Sequence, residues 1–257
     1  MKSMKKDVAV IILAAGMGTR MKSAKAKVLH EILQKPMILY VMATAEKVAG
    51  NDIILVIGYQ ADKVKKIASE KAKVRYAYQD KQLGTGHAVS CALPLIPDYC
   101  EEVIILCGDV PLLTADTVIQ LVDDHVKTKR DISLLAVKKD NPKGYGRVLY
   151  DDKDHVLKIV EEADANEEEK QIKMINTGIY CVKKDFLVDT VGKIKSDNAQ
   201  GEFYLTDLIE IGNKGKKIVG AVVGNDDREF FGINSKKELE EAEKIMMELE
   251  KISPASL

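Results

Sequence analysis

Two glycines and an arginine follow a short β-branched run near the start of the chain. Residues 13–20 have the sequence Leu-Ala-Ala-Gly-Met-Gly-Thr-Arg and come directly after the apolar run Val8–Ile12. Closely spaced glycines let backbone N–H groups converge on an anion, and the Arg20 guanidinium adds positive charge beside them. The segment predicts a phosphate-binding loop, although a tight turn that needs positive φ would use the same residues.

The same segment excludes two common nucleotide-binding motifs. A P-loop needs Gly-Lys-Ser/Thr, which does not follow, and a dinucleotide fingerprint needs a third glycine where Met21 stands. Lys22, Lys25 and Lys27 come next, and they concentrate the positive charge that a nucleoside triphosphate requires. Lys22 and Lys25 are also well explained as solvated surface lysines.

Two further segments carry polar groups at the ends of predicted strands. Residues 79–87, Gln-Asp-Lys-Gln-Leu-Gly-Thr-Gly-His, follow the predicted strand Val74–Tyr78. Their amides and glycines suit the edge of a planar base, or a flexible turn. Asp109 comes after the apolar strand Val103–Leu106, where a carboxylate can hold Mg²⁺ against phosphate oxygens. Its alternative role as a helix cap is weakened because Thr114 is better placed.

The composition excludes several other classes of protein. The chain has 39 basic and 40 acidic residues, so it lacks the strong positive field of a sequence-independent nucleic-acid binder. No apolar run approaches the ~18 residues that span a bilayer, and the basic start at Met1–Lys6 leads into a run too short for a signal peptide. The cysteines and histidines show neither metal-ligand nor nucleophile–base spacing. We expect a cytoplasmic protein with reduced thiols that binds neither nucleic acid nor membrane.

The elements that must position these loops alternate between short apolar runs and longer helical patterns. At least four such alternations before residue 140 predict an α/β fold, a doubly wound, mainly parallel, Rossmann-like sheet in one main domain. Ligands of such sheets bind beyond the carboxyl ends of the strands. The predicted strands are Val8–Leu13, Ile53–Ile57, Val74–Tyr78, Val103–Cys107 and Ile132–Val137, and the predicted helices are Met37–Val48, Ala61–Ala68, His87–Leu95 and Thr114–Lys127.

The pattern changes after about residue 140. Val148–Tyr150 and His155–Val160 flank a polar turn and predict a hairpin, and another strand is predicted at Ile175–Val182. We expect this half to add antiparallel strands that form a wall of the site. Ser235–Ile252 has apolar residues at helical spacing, with Glu238 completing a capping box, and predicts an amphipathic helix.

A series of short motifs follows in order along the chain. They are Leu-Ala-Ala-Gly-x-Gly-Thr-Arg at 13–20, Lys-Val-Leu-His at 27–30, Gln-Leu-Gly-Thr-Gly-His-Ala at 82–88, Gly-Asp-Val-Pro at 108–111, Gly-Tyr-Gly-Arg at 144–147, Ile-Val-Glu at 159–161, Ile-Asn-Thr-Gly at 175–178, Asn-Ala-Gln-Gly-Glu-Phe-Tyr-Leu-Thr-Asp at 198–207 and Gly-Ile-Asn at 232–234. Together they closely resemble the sugar-nucleotide pyrophosphorylases. Within that family the chain is similar to the uridylyltransferase domain of the bifunctional enzymes that make UDP-N-acetylglucosamine, from about residue 8 to 252.

The resemblance implies a reaction and a set of site residues. The implied reaction joins UTP and N-acetylglucosamine 1-phosphate, with Mg²⁺, into UDP-N-acetylglucosamine and pyrophosphate. The sugar phosphate is already anionic, so its attack on the α-phosphorus needs no general base. The implied residues are Leu13, Ala14, Ala15, Gly16, Gln79, Gly84 and Thr85 for the nucleotide; Arg20, Lys27 and Asp109 for catalysis; Gly146, Glu161, Asn176, Tyr204 and Thr206 for the sugar; and Asp109 and Asn234 for Mg²⁺.

The chain departs from the usual family pattern at two positions. Ala26 stands where a proline usually precedes the lysine of Lys-Val-Leu-His, so we expect a less fixed loop around Lys27 and a lower turnover. Cys107 stands where the bifunctional enzymes often have an aromatic residue before Gly-Asp-Val-Pro. This cysteine could change a wall of the site near the nucleotide or the sugar. The sequence therefore predicts the type of reaction more firmly than the identity of the sugar.

The length of the chain bears on its domain organisation and on the alternatives. We expect a nucleotidyltransferase domain at 1–234 and a C-terminal helix and tail at 235–257, with no left-handed β-helix acetyltransferase domain. The expected activity is uridylyl transfer without acetyl transfer, and the C-terminal helix could join copies of the chain into a homo-oligomer. One alternative is a pyrophosphorylase for another sugar 1-phosphate or for dTTP, because one methyl group gives only about 1–3 kcal/mol of discrimination. The other is a non-catalytic sugar-nucleotide sensor, which would not need a metal site and a phosphate clamp together.

Overall fold

A computed structural model describes residues 8–250 of the chain, without the side chain of Glu250. The basic start at Met1–Lys6 and the end of the predicted closing helix beyond residue 250 lie outside the described residues. The strands are β1 Val8–Leu13, β2 Glu31–Ile32, β3 Lys35–Pro36, β4 Ile53–Ile57, β5 Arg75–Tyr78, β6 Glu102–Cys107, β7 Ile132–Lys138, β8 Arg147–Tyr150, β9 Val156–Val160, β10 Met174–Lys183 and β11 Val219–Val223. The α-helices are α1 Met37–Ala49, α2 Ala61–Ser69, α3 Thr85–Ala92, α4 Ala115–Thr128, α5 Lys184–Thr190, α6 Asp207–Lys214 and α7 Lys236–Glu250.

The central sheet has the strand order β11–β7–β10–β6–β1–β4–β5, and its strands from β6 to β5 are all parallel. Strand β1 is buried on both faces. Val10 and Ile12 contribute to a core with α1, α2 and α4, whereas Ala9 and Ile11 contribute to a core with α3, α5 and α6. Helices on both faces of a mainly parallel sheet confirm the predicted doubly wound α/β fold.

The second half of the chain supplies antiparallel strands, as predicted. Strand β10 runs antiparallel to both β6 and β7, and its Ile175 is aligned with Arg147 of the β8–β9 hairpin. A bulge between Asn176 and Tyr180 interrupts the pairing with β7, and Gly178 within it has φ +78°. A bulge re-aims the side chains around it, and residues 176–178 line the cleft described below.

The sequence-based prediction misses the β2–β3 hairpin, α5, α6 and β11, and it starts α3 too late. The hairpin strands are two residues long, too short to show a period, and β11 is a glycine-containing edge strand with exposed Val223. Helix α3 begins at Thr85 rather than at His87, so the end of the predicted loop at residues 79–87 is its first turn. Thr114 caps α4 as predicted, since its hydroxyl accepts a hydrogen bond from the Thr117 N–H.

Helix α7 packs against its own chain. Ala242 and Met246 are buried in a third apolar cluster with Ile32 and Ile233, whereas Leu249, which the helical spacing places on the apolar face, is 46% exposed. The division of the chain into residues 1–234 and 235–257, and an oligomer formed through this helix, stay predictions. Among residues 8–250, no helix has the length and apolar character needed to cross a membrane.

Candidate active site

The loop after β1 presents backbone N–H groups at the carboxyl end of the sheet. The Leu13 carbonyl accepts a hydrogen bond from the Gly108 N–H (2.9 Å), and the Ala15 carbonyl accepts one from the Tyr59 N–H (3.1 Å), so the loop is tied to the strands on either side. Within the described part of the chain, no atom accepts a hydrogen bond from the N–H groups of residues 16–18. Three consecutive donors without partners are suited to binding an anion.

Two cations and two oxygen ligands from separate loops meet beside this turn. Arg20 Nη2 donates to Asn234 Oδ1 at 2.8 Å, and Lys27 Nζ donates to the same oxygen at 2.7 Å. The Lys27 ammonium also forms an ion pair with the Asp109 carboxylate. The side chains of Lys27 and Asp109 are 16% and 20% exposed, so this pair is partly shielded from water.

Backbone hydrogen bonds hold the two oxygen ligands in place. The Asp109 carbonyl accepts a hydrogen bond from the Ile233 N–H (3.0 Å), which joins the loop after β6 to the loop before α7. The Glu238 carboxylate accepts one from the Asn234 N–H (2.8 Å) and one from the Ser235 hydroxyl (3.0 Å). The predicted capping box of α7 therefore also fixes the backbone of Asn234.

The donor set fits a divalent cation. The oxygens of Asp109 and Asn234 both contact the Lys27 ammonium, so they face one point and can share one positively charged group. A carboxylate and an amide carbonyl are hard oxygen donors of the kind that Mg²⁺ binds, and Mg²⁺ needs only one or two protein ligands. The arrangement also shows that Lys27 and a metal ion would compete for the same oxygens unless an anion attracts the lysine away.

The loop before α3 is folded closely onto residues 203–205. A Cβ at Gly84, which has φ +108°, would lie 2.6 Å from the Phe203 carbonyl oxygen, so only glycine permits this approach. Thr85 Oγ1 accepts a hydrogen bond from the Leu205 N–H at 3.0 Å. Gln79 is 4% exposed, and its side chain lies at the edge of the cleft with these two residues.

The site consists of two adjoining cavities of about 460 and 230 Å³. The larger cavity is lined by all the residues predicted for the nucleotide, and the smaller one by most of those predicted for the sugar. Cys107 lies between them, and burial raises the pKa of its thiol to about 12. The residues common to both cavities are Leu13, Arg20, Thr85, Cys107, Asp109 and Asn234.

The smaller cavity is lined mainly by buried and partly buried residues of the antiparallel half. Burial raises the pKa of the Glu161 carboxyl, and the Thr206 hydroxyl, which donates to Glu161 Oε1 at 3.1 Å, partly opposes this shift. A Cβ at Gly146 would lie 3.0 Å from Ile159 Cγ2, so a side chain there would push against the cavity wall. The Asn176 N–H donates to the Gly146 carbonyl at 2.8 Å, which holds these two residues together.

Some predicted residues lie outside the two cavities. Tyr204 lines neither of them and is 8% exposed, but it lies close enough to Glu161 to interact with it electrostatically, so its place near the sugar stays a prediction. Lys22 and Lys25 also lie outside, and Lys25 pairs with Glu31 at 2.7 Å. Of the three lysines after Arg20, Lys27 is therefore the one that reaches the site.

The structure adds residues that the sequence-based set omits. Gln82 and Glu202 line the larger cavity, and Tyr145, Gly178 and Tyr180 line the smaller one. All except Tyr180 lie inside the motifs that carry the resemblance, so the signal was present in the sequence but not assigned to a role. Tyr180 lies within a strand, where nothing in the local pattern marks it as part of a site.

The fold and the site define a class of protein: a doubly wound α/β protein with unpartnered backbone N–H groups beside a cluster of two cations and two side-chain oxygens, at the carboxyl end of the parallel strands. The chain belongs to the nucleotidyl transferase family, whose sequence model matches residues 9–227. Members of this family generally use a divalent metal ion, and the family implies nucleotide and sugar-phosphate substrates. The resemblance that the motifs indicate is therefore confirmed at the level of the family.

Curated relatives and a solved structure agree with this assignment. The chain is 48% identical over 242 residues to the bifunctional protein GlmU of Caldicellulosiruptor saccharolyticus and 44% identical over 238 residues to that of Trichlorobacter lovleyi; each alignment covers 93% of this chain and 52% of the relative. It is 41% identical to the GlmU of Desulfotalea psychrophila, covering 92% of this chain and 70% of that protein. The chain thus spans about half the length of most of these relatives.

A solved structure supports the fold independently. A provisionally named glucose-1-phosphate thymidylyltransferase from Bacillus anthracis, in complex with sucrose, matches with a TM-score of 0.71 and 19% identity, covering 93% of this chain and 94% of that chain. At this identity the match bears on the architecture, and it confirms the nucleotidyltransferase type of α/β sheet.

Proposed function

We propose that the chain is a uridylyltransferase that converts UTP and N-acetylglucosamine 1-phosphate into UDP-N-acetylglucosamine and pyrophosphate. The observation that carries this proposal is the meeting of Arg20, Lys27, Asp109 and Asn234 at the junction of the two cavities. A metal site and a phosphate clamp at one junction suit a reaction between two phosphate-bearing ligands. The curated relatives named GlmU support the choice of substrates.

The chemistry requires positioning and charge neutralisation rather than proton transfer. An oxygen of the sugar phosphate attacks the α-phosphorus of UTP, and the bond from that phosphorus to the bridging oxygen breaks as pyrophosphate leaves. No proton has to move, because the attacking phosphate is already ionised at neutral pH. In agreement with this, no histidine is among the residues that line the two cavities.

The residues divide between the two ligands and the reacting phosphorus. The N–H groups of residues 16–18 hold the triphosphate, while Arg20 and Lys27 neutralise the charge that develops on the phosphorus and on the leaving pyrophosphate. Asp109 and Asn234 would hold Mg²⁺, which when bound neutralises phosphate charge and brings the two reactants together.

Each cavity recognises one ligand. In the larger cavity the ligand is the uracil base, which Gln79, Gly84 and Thr85 recognise. In the smaller cavity it is the N-acetylglucosamine group, and the residues that contact it are Gly146, Glu161, Asn176 and Thr206. We also place the enzyme in the cytoplasm, since its four cysteines are free thiols, as a reducing compartment would keep them.

The direct test is steady-state pyrophosphate release with a panel of substrates. We expect the highest kcat/KM with UTP, Mg²⁺ and N-acetylglucosamine 1-phosphate. Higher values with glucose 1-phosphate or with dTTP would instead support a pyrophosphorylase for those substrates. Tight binding of the nucleotide sugar without turnover of any pair would contradict the proposal and support a sensor.

A further inference from the structure

The amide nitrogen of Gln79 is fully engaged inside the protein. Its Nε2 donates to the Gly84 carbonyl oxygen at 3.0 Å and lies 3.1 Å from Nδ1 of His87. An amide nitrogen has two protons, and these two acceptors account for both of them. Among the described residues, none donates a hydrogen bond to Gln79 Oε1, and Gln79 lines the larger cavity, called the nucleotide cavity from here on. The carbonyl oxygen is therefore the group that Gln79 offers to a ligand.

His87 can accept this hydrogen bond only when Nδ1 carries no proton. Its other ring nitrogen, Nε2, lies 3.8 Å from the Cys91 sulfur, one helical turn further along α3. A neutral imidazole with its proton on Nε2 satisfies both contacts, because Nε2 then donates to sulfur while Nδ1 accepts from Gln79. The hydrogen-bond network thus selects one tautomer of His87.

The Gly84 carbonyl does not fix the Gln79 amide by itself. It also accepts a hydrogen bond from the Ala88 N–H at 3.1 Å, so two donors share it. His87 Nδ1 supplies the second acceptor. Together, the Gly84 carbonyl and His87 Nδ1 oppose a rotation of the Gln79 side-chain amide by 180°. After such a rotation, Gln79 Oε1 would face the Gly84 carbonyl oxygen and, as long as the His87 proton stays on Nε2 beside Cys91, the lone pair of Nδ1, which is unfavourable.

We infer that His87 is a positioning residue that makes the nucleotide cavity select uracil and thymine over cytosine. By holding Gln79 Nε2, it keeps Oε1 available to accept the N3–H of uracil or thymine. Cytosine has a lone pair at N3, so the same oxygen repels it, and a rotated amide would instead donate to it. This selection rests on the proposed function, in which Gln79 meets the base.

The test compares two substitutions of similar shape. His87→Asn places an amide oxygen where Nδ1 lies, whereas His87→Leu keeps the branching at Cγ and removes the acceptor. Binding of UTP, dTTP and CTP to each purified protein is measured by isothermal titration calorimetry without sugar phosphate. Pyrophosphate release by the unsubstituted protein is measured in parallel; its absence with every triphosphate would contradict the proposed function, while the binding ratios still test His87.

We expect the UTP-to-CTP affinity ratio to fall about 3- to 10-fold in His87→Leu, as for the loss of one neutral hydrogen bond, and to stay within about 2-fold in His87→Asn. The UTP-to-dTTP ratio stays constant, because both bases carry N3–H. An unchanged UTP-to-CTP ratio in His87→Leu, or equal falls in both variants, would overturn the inference. Nitrogen NMR of the unsubstituted protein gives a check that does not depend on folding of the variants: a His87 ring protonated on Nδ1 at neutral pH would overturn it too.

Discussion

The two cavities of the site are built by different means. The nucleotide side belongs to the parallel half of the sheet and presents backbone N–H groups and close-packed glycines, such as Gly18 and Gly84. The sugar side belongs to the antiparallel half and presents side chains, among them the buried Asn176 and the partly buried Glu161. Substitutions should therefore act on the first side through the conformation of the chain and on the second side through burial and ionisation.

The junction between the two sides should give the largest effect. Asp109→Asn removes the one carboxylate of the cluster Arg20, Lys27, Asp109 and Asn234, and with it the proposed metal ligand and the ion pair to Lys27. We expect kcat to fall by about 10²–10³-fold, because the charge of the reacting phosphates is then poorly neutralised. Pyrophosphate release at saturating substrates measures this.

A matched acidic residue controls for the Asp109 substitution. Asp140 is fully exposed and pairs with Lys173 outside the two cavities, so Asp140→Asn should leave kcat within about 2-fold of the unsubstituted value. If Asp109→Asn retained more than a tenth of the turnover, the cluster would not be the reacting centre. The two cavities would then not share one reacting centre at their junction.

The next largest effect should come from the backbone of the nucleotide side. Gly18 has φ +70°, and a Cβ there would lie 2.5 Å from Lys27 Cβ, so Gly18→Ala strains the turn and moves the lysine. The left-handed conformation alone costs an alanine about 1–2 kcal/mol. We expect KM for UTP to rise about 10-fold or more while KM for the sugar phosphate changes little, as initial-rate kinetics in both substrates would show.

Gly50→Ala separates strain from contact with the site. Gly50 also has a positive φ, of +62°, but no atom lies within 4 Å of its Cβ position, and it ends α1 away from the cavities. This variant should lower Tm, because a positive φ strains an alanine, while leaving both KM values unchanged. Parallel rises of both KM values in Gly18→Ala would show that the two sides are not independent.

The same contrast explains which features the sequence reveals. Strand β1, its glycine loop and Asp109 are local patterns, and the rule that parallel strands share one ligand-binding end places them together. Asn234 is different, because it reaches Lys27 through a loop far along the chain and only the resemblance singles it out. Tyr204 shows a different limit of sequence reasoning. It belongs to one of the motifs but lines neither cavity, because a motif predicts a neighbourhood and not the direction of a side chain.

A smaller effect should follow from loosening the support of Asn234. Glu238→Ala removes the carboxylate that accepts the Asn234 N–H, so the amide oxygen is held less firmly. Groups that orient metal ligands commonly contribute about 10-fold or more to metal affinity, so we expect the Mg²⁺ concentration for half-maximal rate to rise about 10-fold. Direct titration with Mn²⁺ monitored by electron paramagnetic resonance provides a second readout without turnover.

Two variants of the same helix test whether this effect is specific. Glu238→Gln keeps an oxygen acceptor for the Asn234 N–H and should restore most of the metal affinity. Glu243, whose carboxylate accepts from the Leu33 N–H at 2.8 Å, also anchors α7, but not through Asn234. If Glu243→Ala weakened metal binding as much as Glu238→Ala, then the docking of the whole helix would be responsible rather than the single hydrogen bond.

The smallest effect is expected on the sugar side, in the pH dependence of stability. Burial raises the folded-state pKa of Glu161 above the 4.5 of an exposed glutamate, so its stabilising contribution is complete below pH 4.5 and is lost as pH rises through the folded pKa. At pH 8 the ionised carboxylate opposes folding, and Glu161→Gln removes this cost. We expect the variant to gain on the order of 1 kcal/mol at pH 8, about 2–4 °C in Tm, and to lose that gain near pH 4.5.

The neighbouring Glu162 should respond with the opposite sign. Partial burial raises the pKa of Glu162, but the hydrogen bonds from Arg147 and from the Gly144 N–H together lower it by more. The net shift of this pKa is therefore downward. Glu162 therefore stabilises the fold above pH 4.5 and loses this contribution as pH falls through its folded pKa, and Glu162→Gln should lower Tm at pH 8. Thermal unfolding of both variants at pH 4.5 and pH 8 gives the comparison. A stability loss in Glu161→Gln at pH 8 would mean that its hydrogen bond with Thr206 outweighs the cost of burying its charge.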